Sequence, residues 1–575
     1  MVLGQGRINN KLLTVILFLI ISLFFTFNNI SNERMIHILD DEFGYWGNAA
    51  SMIGYDWNDL MSETAFYSSG YSFLLVPLML FIHNPFALYK MAIAINGLLF
   101  FGQLVLAYSI SKDIFHIGGK LRYIAVIVSL VGIAPVFYIH FTESETLIGT
   151  LYLAAIYFLN RIELRNSYLW VVSLEIILMW MIVAHRRTIP VAILLALSMF
   201  GILYKKRENI KLIFSFGGML FFYFIYKLVM TYQILNIYGN SSVSSDNSAS
   251  MGTMVSEYVQ KVLNDSDVII QSFICKLGMA SISTYGTVLF IFVIFPFVLH
   301  EWRNKDWLNF SVAKACIVLS ALSMIVLEAL QMSDFTYRRD MATYTRYFDF
   351  VLPLVIMYGF SILVNDYEKF RKYYLGSWLV TFCTIPCMYF ATIKSDGDYN
   401  ALCSPILGAF YHIGYIQTGK LYEDKIAFSI FFKVFFFVTI VILLCLKNRN
   451  KSSKLIFFII FVCCILWIEN LSGEWANYRR DKCAPPSIDI YNYIRNDNDD
   501  IYCLKDDIEV RYPKYIQYLI GNREIKVIDS IEEIDKFGKK WVLTRKNYEN
   551  VTGVDKVYGS WLLNLYRLNF EDEKK

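Results

Sequence analysis

Charged residues are scarce in this sequence. Only 18% of its 575 residues are Asp, Glu, Lys or Arg, and 56% are hydrophobic, whereas soluble domains carry about 25% charged residues. This excludes an ordinary soluble domain, because so much apolar surface needs lipid to cover it. The net charge of +4 is small for this length. It excludes the strongly basic field that a nucleic-acid partner requires.

Metal-binding motifs are absent as well. The sequence has 10 cysteines and 7 histidines, but none of them form a CxxC motif or a Cys/His pair with zinc-ligand spacing. Several cysteines lie inside apolar runs, where a thiol behaves as a small hydrophobic side chain. We therefore expect no zinc site, no disulfide framework and no required cofactor. A divalent metal cation remains possible.

Long apolar runs dominate the chain. Each approaches the length of about 20 residues that spans a bilayer. We interpret them as about 13 transmembrane helices of an all-α polytopic membrane protein. They cover residues 12–27, 86–110, 122–139, 145–160, 168–184, 188–204, 212–235, 278–299, 311–331, 347–364, 374–392, 426–446 and 455–470.

Basic residues between these runs predict the orientation, because Lys and Arg concentrate in cytoplasmic loops. Alternate loops carry them, at residues 7–11, 112–122, 161–165, 205–211, 303–305, 369–372 and 447–454. The N-terminus is then cytoplasmic, and the C-terminal tail lies outside the plasma membrane. The abundance of Ile, Asn, Lys and Tyr is typical of an AT-rich bacterial genome.

The chain divides into a transmembrane domain, residues 1–475, and an extracytoplasmic domain, residues 476–575. Pro485-Pro486 marks the boundary region. β-Rich stretches and a helical stretch alternate in the tail, which predicts a small α/β domain. We expect it to bind the acceptor or to pack on the membrane domain. The stretches are residues 500–504, 513–520, 540–544 and 561–568.

The first outer loop, residues 28–85, opens with Asp40-Asp41-Glu42. Three successive carboxylates repel one another, which suits one of them to general-base work. An acidic first turn of a helix near Gly44 explains the same residues without catalysis. An aromatic amphipathic stretch follows at residues 66–77. We expect it to form helices along the membrane interface.

These residues resemble the GT-C class of membrane glycosyltransferases, in particular the branch with the protein O-mannosyltransferases and the aminoarabinose transferase of lipid A. Asp41-Glu42 is similar to the acidic pair that opens the first outer loop there, and Ser69-Gly70-Tyr71 to the tyrosine-rich stretch that follows it. Three later segments resemble the second acidic position, the outer arginine position and the late Arg-Tyr motif. They are Phe141-Thr142-Glu143, residues 184–188 and residues 344–348.

The resemblance implies transfer of a sugar, with inversion, from a polyprenyl-phosphate-sugar donor to an extracytoplasmic glycan, lipid or protein. Asp41 is expected to be the general base, with Asp40 as second choice and Glu42 as an orienting group or metal contact. Glu143 is the second acidic position, which its neighbour Glu145 could replace. The resemblance further implies a substrate cavity lined by Tyr45, Tyr67, Tyr71 and Tyr344.

Cations on the outer side are candidates for the donor's lipid phosphate, because a guanidinium binds phosphate through two parallel hydrogen bonds. Interaction of the same side chains with lipid headgroups is the alternative. Lys227 lies late in an outward-running span, near the outer surface. The candidates are Arg186, Arg187, Arg339, Arg346 and Lys227.

Two other classes of membrane protein fit a polytopic chain. An O-antigen-type polymerase or ligase relies on a large late outer loop, whereas the acidic motif here lies in the first loop. A lipid-linked-sugar flippase or transporter is expected to show inverted repeats or helices broken in matching halves, and no such pairing is present in the sequence. The first loop thus favours the glycosyltransferase.

Overall fold

The computed structural model describes most of the chain. The described residues are 10–28, 34–36, 39–165, 167–239, 251–304, 311–335, 338–395, 404–421, 423–447, 451–505, 511–534, 539–548 and 554–569. They form a helical body and one small sheet near the C-terminus. This confirms the predicted fold class.

The helical body uses most of the chain. Helices α1–α11 cover Asn10–Phe27, Leu39–Met52, Asn58–Ser62, Ser72–Phe81, Pro85–Asp113, Leu121–Leu130, Ile133–Phe137, Glu145–Leu164, Tyr168–Ala184, Ile189–Lys205 and Asn209–Asn236. Helices α12–α21 cover Met251–Asn264, Ser266–Ser283, Thr287–Asn304, Val312–Gln331, Leu352–Asn365, Tyr367–Thr392, Pro405–Thr418, Asp424–Lys447, Lys451–Ile494 and Arg511–Ile520. Short 3₁₀ helices cover Tyr138–His140, Arg186–Thr188, Arg339–Thr343 and Ile531–Glu533.

Several of these helices can cross a membrane. Within the described ranges, 6 are long and apolar enough, or up to 8 if each of two bent helix pairs forms one span. Shorter apolar helices, such as α9 and α16, add to them. The protein is therefore a multi-pass membrane protein. The count of about 13 spans stays a prediction.

Two predicted spans are bent rather than straight. The run 122–139 is divided between α6 and α7, with a bend of 62°, and the run 278–299 is divided between α13 and α14, with a bend of 102°. Tyr285 and Gly286 lie at the second break, with φ of 54° and 77°. A left-handed backbone cannot continue a right-handed helix, and a hydropathy pattern does not register it.

Three predicted boundaries also differ. The predicted span 347–364 begins as a helix only at Leu352, and residues 346–351 form turns before it. The predicted outer loops 236–276 and 393–425 contain helices α12 and α18. Apolar residues recur at helical spacing in α12, but that helix is too polar to be recognised as a span.

The first outer loop folds into three helices, α2, α3 and α4. The three carboxylates lie in the first turn of α2, where the positive end of the helix macrodipole favours negative charge. The loop packs on the rest of the body through Gly70, whose N–H donates to Val183 O at 2.8 Å. Trp180 Nε1 donates to Gly70 O at 3.0 Å. These hydrogen bonds hold the first outer loop, which carries the acidic turn, against helix α9.

Five strands form the C-terminal sheet. Strands β1–β5 cover Asp500–Leu504, Ile525–Ile528, Lys539–Thr544, Val554–Gly559 and Asn564–Asn569. Their order in the sheet is β2-β1-β3-β5-β4. Strand β1 pairs in parallel with β2 and β3, and β5 pairs antiparallel with β3 and β4. Helix α20 continues through Pro485-Pro486 towards this sheet.

The tail packs directly on the first outer loop. Trp57 Nε1 donates to Gly521 O at 2.7 Å, and the Tyr518 hydroxyl donates to Pro85 O at 2.9 Å. The rings of Tyr518 and Trp46 pack edge to face, with centroids 5.3 Å apart. These contacts place helix α21 of the tail against helix α2.

We expect Gly70→Ala to destabilise the protein by about 1–3 kcal/mol through overpacking. A Cβ at Gly70 would lie 2.4 Å from the backbone nitrogen of Ala184, and backbone cannot move aside as a side chain can. Gly201→Ala is the matched control, since a Cβ there meets no atom within 4 Å. Thermal unfolding in detergent measures both variants. Equal melting temperatures would contradict this packing.

Candidate active site

Arg346 forms the centre of a buried ion cluster. It follows the 3₁₀ helix Arg339–Thr343 and precedes α16, and its guanidinium binds carboxylates from two other segments. Nη1 donates to Asp41 Oδ2, Nη2 donates to Glu143 Oε2 at 2.9 Å, and Nε donates to Glu145 Oε1 at 2.5 Å. The first outer loop, the short second outer loop at residues 140–145 and the late Arg-Tyr segment at residues 344–348 therefore meet at one side chain.

Asp40 and Asp41 have different partners. The Tyr67 hydroxyl donates to Asp41 Oδ1, while Arg346 binds the other oxygen. Asp40 Oδ1 instead accepts from Lys514 Nζ at 2.7 Å. The Asp41 side chain retains 22% exposure. Asp41 therefore lies in the arginine cluster, and Asp40 lies between that cluster and the tail.

Glu42 is fully buried and holds the second outer loop. Its Oε1 accepts from the Thr142 backbone N–H at 2.7 Å, the Thr142 hydroxyl at 2.6 Å and the Tyr89 hydroxyl at 2.7 Å. Trp46 Nε1 donates to Thr142 Oγ1 at 3.0 Å. Because Glu143 follows Thr142, these bonds fix where the Glu143 carboxylate stands. Glu42 thus orients Glu143 through its hydrogen bonds to Thr142.

Arg187 is the second buried arginine of the cluster. Its Nη2 donates to Glu145 Oε1 at 2.8 Å, and its guanidinium lies 5.1 Å from the ring centroid of Tyr347. Among the described residues, its Nε and Nη1 have no hydrogen-bond partner. A buried guanidinium with unpaired donors is costly unless a ligand accepts from it.

Two cavities adjoin the cluster. The smaller is lined by Arg187, Arg346 and Glu145, among others. The larger has mostly apolar walls. Residues common to both linings are Pro135, Asp349 and Pro353. A cavity lined by two arginines therefore adjoins a cavity with mostly apolar walls.

Burial changes the acid–base properties of the cluster. Burial raises the pKa of Glu143 well above its ordinary value, Glu145 and Asp41 raise it further, and Arg346 opposes the shift. Burial and the charge of Asp41 also raise the pKa of Tyr67. Tyr67 therefore stays protonated, and its hydroxyl donates a hydrogen bond to Asp41. Burial lowers the pKa of His185, beside Arg187, so that its imidazole is neutral.

The predicted tyrosines lie in and around the cluster. Tyr45 is buried and donates to Ser144 Oγ at 2.8 Å. The Tyr71 hydroxyl donates to Asn96 Oδ1 at 3.0 Å, and its ring packs on Tyr45 with centroids 5.6 Å apart. Tyr344 packs on Tyr347 at 5.2 Å. Of the four, Tyr67 makes the direct contact with Asp41.

Three predicted cations have other surroundings. Arg339 Nη1 donates to Asp424 Oδ2. The Arg186 guanidinium lies 5.5 Å from the ring centroid of Phe66, and Lys227 is exposed on α11. The structure brings Arg187 and Arg346 into the cluster. It does not bring these three into the same contacts.

The structure gives contacts with the acidic cluster to three residues that the sequence does not single out as site residues: Lys514, Tyr89 and Glu145. Lys514 comes from the tail and lies far along the chain from Asp40, so no spacing rule connects them. The sequence indicates Glu145 only as a substitute for Glu143, yet Glu145 binds both arginines. Among the described residues, no group of three or more His, Cys, Asp or Glu side chains has the arrangement of a metal site.

The fold and the site define a multi-pass helical membrane protein with a buried arginine–carboxylate cluster beneath a small α/β domain. Two crystal structures of ArnT from Cupriavidus metallidurans share this fold. The structure bound to undecaprenyl phosphate is 12% identical, with a TM-score of 0.52, and the alignment covers 96% of this chain and 97% of that one. The apo structure is 13% identical, with a TM-score of 0.53 and coverages of 97% and 98%.

The likeness to ArnT concerns the fold, because the sequences have diverged this far. It extends over nearly the whole chain, the C-terminal domain included. No protein-family model matches the sequence, and no curated protein matches it. The predicted fold, membrane helices followed by a small α/β C-terminal domain, is confirmed and is the fold of the ArnT structures.

We expect Glu42→Ala to destabilise the protein more than Asp41→Ala does. Loss of Glu42 leaves the buried Thr142 N–H without its acceptor, at a cost of about 1–3 kcal/mol, and opens a cavity. Loss of Asp41 leaves Arg346 with two carboxylates, beside a partly exposed position. Thermal unfolding in detergent compares the variants. A larger loss for Asp41→Ala would contradict the orienting role of Glu42.

Proposed function

We propose that this protein transfers a sugar from a polyprenyl-phosphate-sugar donor to an extracytoplasmic acceptor, with inversion. The observation that carries the proposal is Arg187, a buried guanidinium whose Nε and Nη1 lack partners among the described residues. With Arg346 and Glu145 it lines a cavity that adjoins a larger, mostly apolar one. A ligand with a charged head group and a long hydrocarbon tail requires both a cation and an apolar cavity beside it.

The apolar cavity suits the first isoprene units of the donor. Its lining includes Trp378, Phe410, Phe431 and Phe435, apolar side chains that an isoprenoid chain can contact as it contacts the lipid tails of the bilayer. The ArnT structure of the same fold was solved with undecaprenyl phosphate bound. This likeness supports a lipid phosphate as the ligand class.

The donor phosphate is assigned to Arg187 and Arg346. Nη1 and Nη2 of Arg346 each carry a second hydrogen beyond the one that they give to Asp41 and Glu143. Together with the unpaired donors of Arg187, these hydrogens can bind two phosphate oxygens. Such donors also stabilise the negative charge that develops on the leaving phosphate.

Asp41 is assigned the role of general base. Of the three carboxylates on Arg346, it is the accessible one, at 22% exposure against 1% for Glu143 and 3% for Glu145. Asp41 takes the proton of the acceptor hydroxyl or amine while the heteroatom attacks the anomeric carbon. The bond from that carbon to the phosphate oxygen breaks, and its electron pair leaves with the phosphate. One displacement inverts the anomeric centre.

The reaction is placed on the outer face of the plasma membrane. The basic loops support a cytoplasmic N-terminus, and this orientation puts the acidic first loop, the late Arg-Tyr segment and the tail outside. The tail, which packs on that loop, is then within reach of an extracytoplasmic glycan, lipid or protein.

Asp41→Asn is expected to lower sugar transfer by about 10²–10⁴-fold, the usual contribution of a general base. The assay supplies purified protein with radiolabelled polyprenyl-phosphate hexoses and pentoses and follows the label into membrane acceptors. Asp56→Asn is the control, because Asp56 is an exposed acid of the same loop. Transfer by Asp41→Asn at the control rate would remove Asp41 as the base. Movement of label across the bilayer without transfer would indicate a flippase.

Arg187→Met is expected to weaken binding of undecaprenyl phosphate by about tenfold or more, because charge-assisted hydrogen bonds to phosphate are lost. Native mass spectrometry measures the affinity without knowledge of the sugar. Arg161→Met is the matched control. Arg161 also pairs with a carboxylate, that of Asp113, at 2.7 Å. It lies in the last turn of α8, whereas Glu145, the partner of Arg187, lies in the first turn of that helix. Equal affinities of the two variants would place the phosphate elsewhere.

A further inference from the structure

The tail contributes a cation to the acidic turn of the first outer loop. Lys514, on helix α21, is almost fully buried, with 1% of its side chain exposed. Its Nζ donates to Asp40 Oδ1 at 2.7 Å and approaches Glu63 O at 3.4 Å. The ammonium also lies 5.8 Å from the ring centroid of Phe43. Because Lys514 is buried, its ion pair with Asp40 is an interior contact rather than a surface salt bridge.

Asp40 lies next to Asp41 in the chain, and the two share surroundings. Both carboxylates act on Tyr67 electrostatically, although Asp41 holds its hydrogen bond. The other charged groups around this turn are Arg346, Glu143 and Glu145, on the Asp41 side, and the buried Glu42. Without a cation of its own, Asp40 would compete with Asp41 for the Tyr67 hydroxyl and for Arg346.

We propose that Lys514 is a positioning residue: it neutralises Asp40 and thereby reserves Tyr67 and Arg346 for Asp41. The C-terminal domain then completes the active site in addition to packing on it. This role rests on the proposed function, in which Asp41 is the base. Lys514 itself touches neither donor nor acceptor in this assignment.

A second ion pair between the tail and the first loop provides a matched comparison. Lys505 Nζ lies 3.0 Å from Glu63 Oε1, and both side chains are partly exposed. This pair joins the same two parts of the chain but binds neither Asp40 nor Asp41. Loss of Lys505 therefore reports what loss of a docking contact does by itself.

The test measures kcat for sugar transfer in four variants of the full-length protein. We expect Lys514→Met to lower kcat by about tenfold, the effect of one misplaced charge interaction at the base. Lys514→Arg should restore most of it. Lys514→Met combined with Asp40→Asn should also restore it, because the competing charge is removed. Lys505→Met should retain the wild-type kcat.

Rescue by Asp40→Asn decides between positioning and docking. A double variant as slow as Lys514→Met, or a Lys505→Met variant equally slow, would overturn the role of Lys514. If Lys514→Met does not fold, the double variant carries the test, since it buries no unpaired charge. A wild-type kcat then supports the proposal, and a tenfold lower one overturns it.

The outcome also separates this proposal from the proposed function. If Asp41→Asn transfers sugar at the wild-type rate, the base assignment fails, and the positioning role fails with it. If Asp41→Asn is inactive while Lys514→Met retains the wild-type kcat, the base assignment stands and the role of Lys514 alone is wrong.

Discussion

The buried guanidinium of Arg346 is the interaction on which this structure depends. It binds Asp41, Glu143 and Glu145, which come from the first and second outer loops and the start of α8. An uncompensated charge at this depth would cost several kcal/mol, so the three segments must converge for Arg346 to be buried at all. The cluster is thus a folding constraint, and the cavities beside it exist because helices far apart in sequence are held at this point.

Charge balance within the cluster follows from burial. Arg187 and Arg346 face three carboxylates, which gives one negative charge in excess if every acid is ionised. Burial raises the pKa of Glu143 well above its ordinary value, and its Oε1 has no hydrogen-bond partner among the described residues. A proton held there brings two cations against two anions. The cluster can then remain buried with its charges balanced.

Short motifs contain most residues of the ion cluster, because charge and sidedness are readable from a sequence. Asp41, Glu143, Arg187 and Arg346 each lie in one of these motifs, and they meet in the structure. Depth along a helix makes Lys227 a candidate but says nothing about the direction of its side chain, which is exposed. Lys514 could not be found, because docking of the tail on α2 depends on tertiary contacts such as Trp57 with Gly521. The bent spans were hidden for a related reason, since hydropathy does not record φ.

Helix α2 connects the C-terminal tail to the helical body through three consecutive side chains. Asp40 binds the tail, Asp41 binds Arg346, and Glu42 binds the second outer loop. In the proposed reaction, the donor phosphate binds the hydrogens of Arg346 that are not given to Asp41 and Glu143. One guanidinium then contacts both the leaving phosphate and the base. Tyr67 holds the other oxygen of Asp41, so donor binding brings the leaving group beside a base that is already held in place.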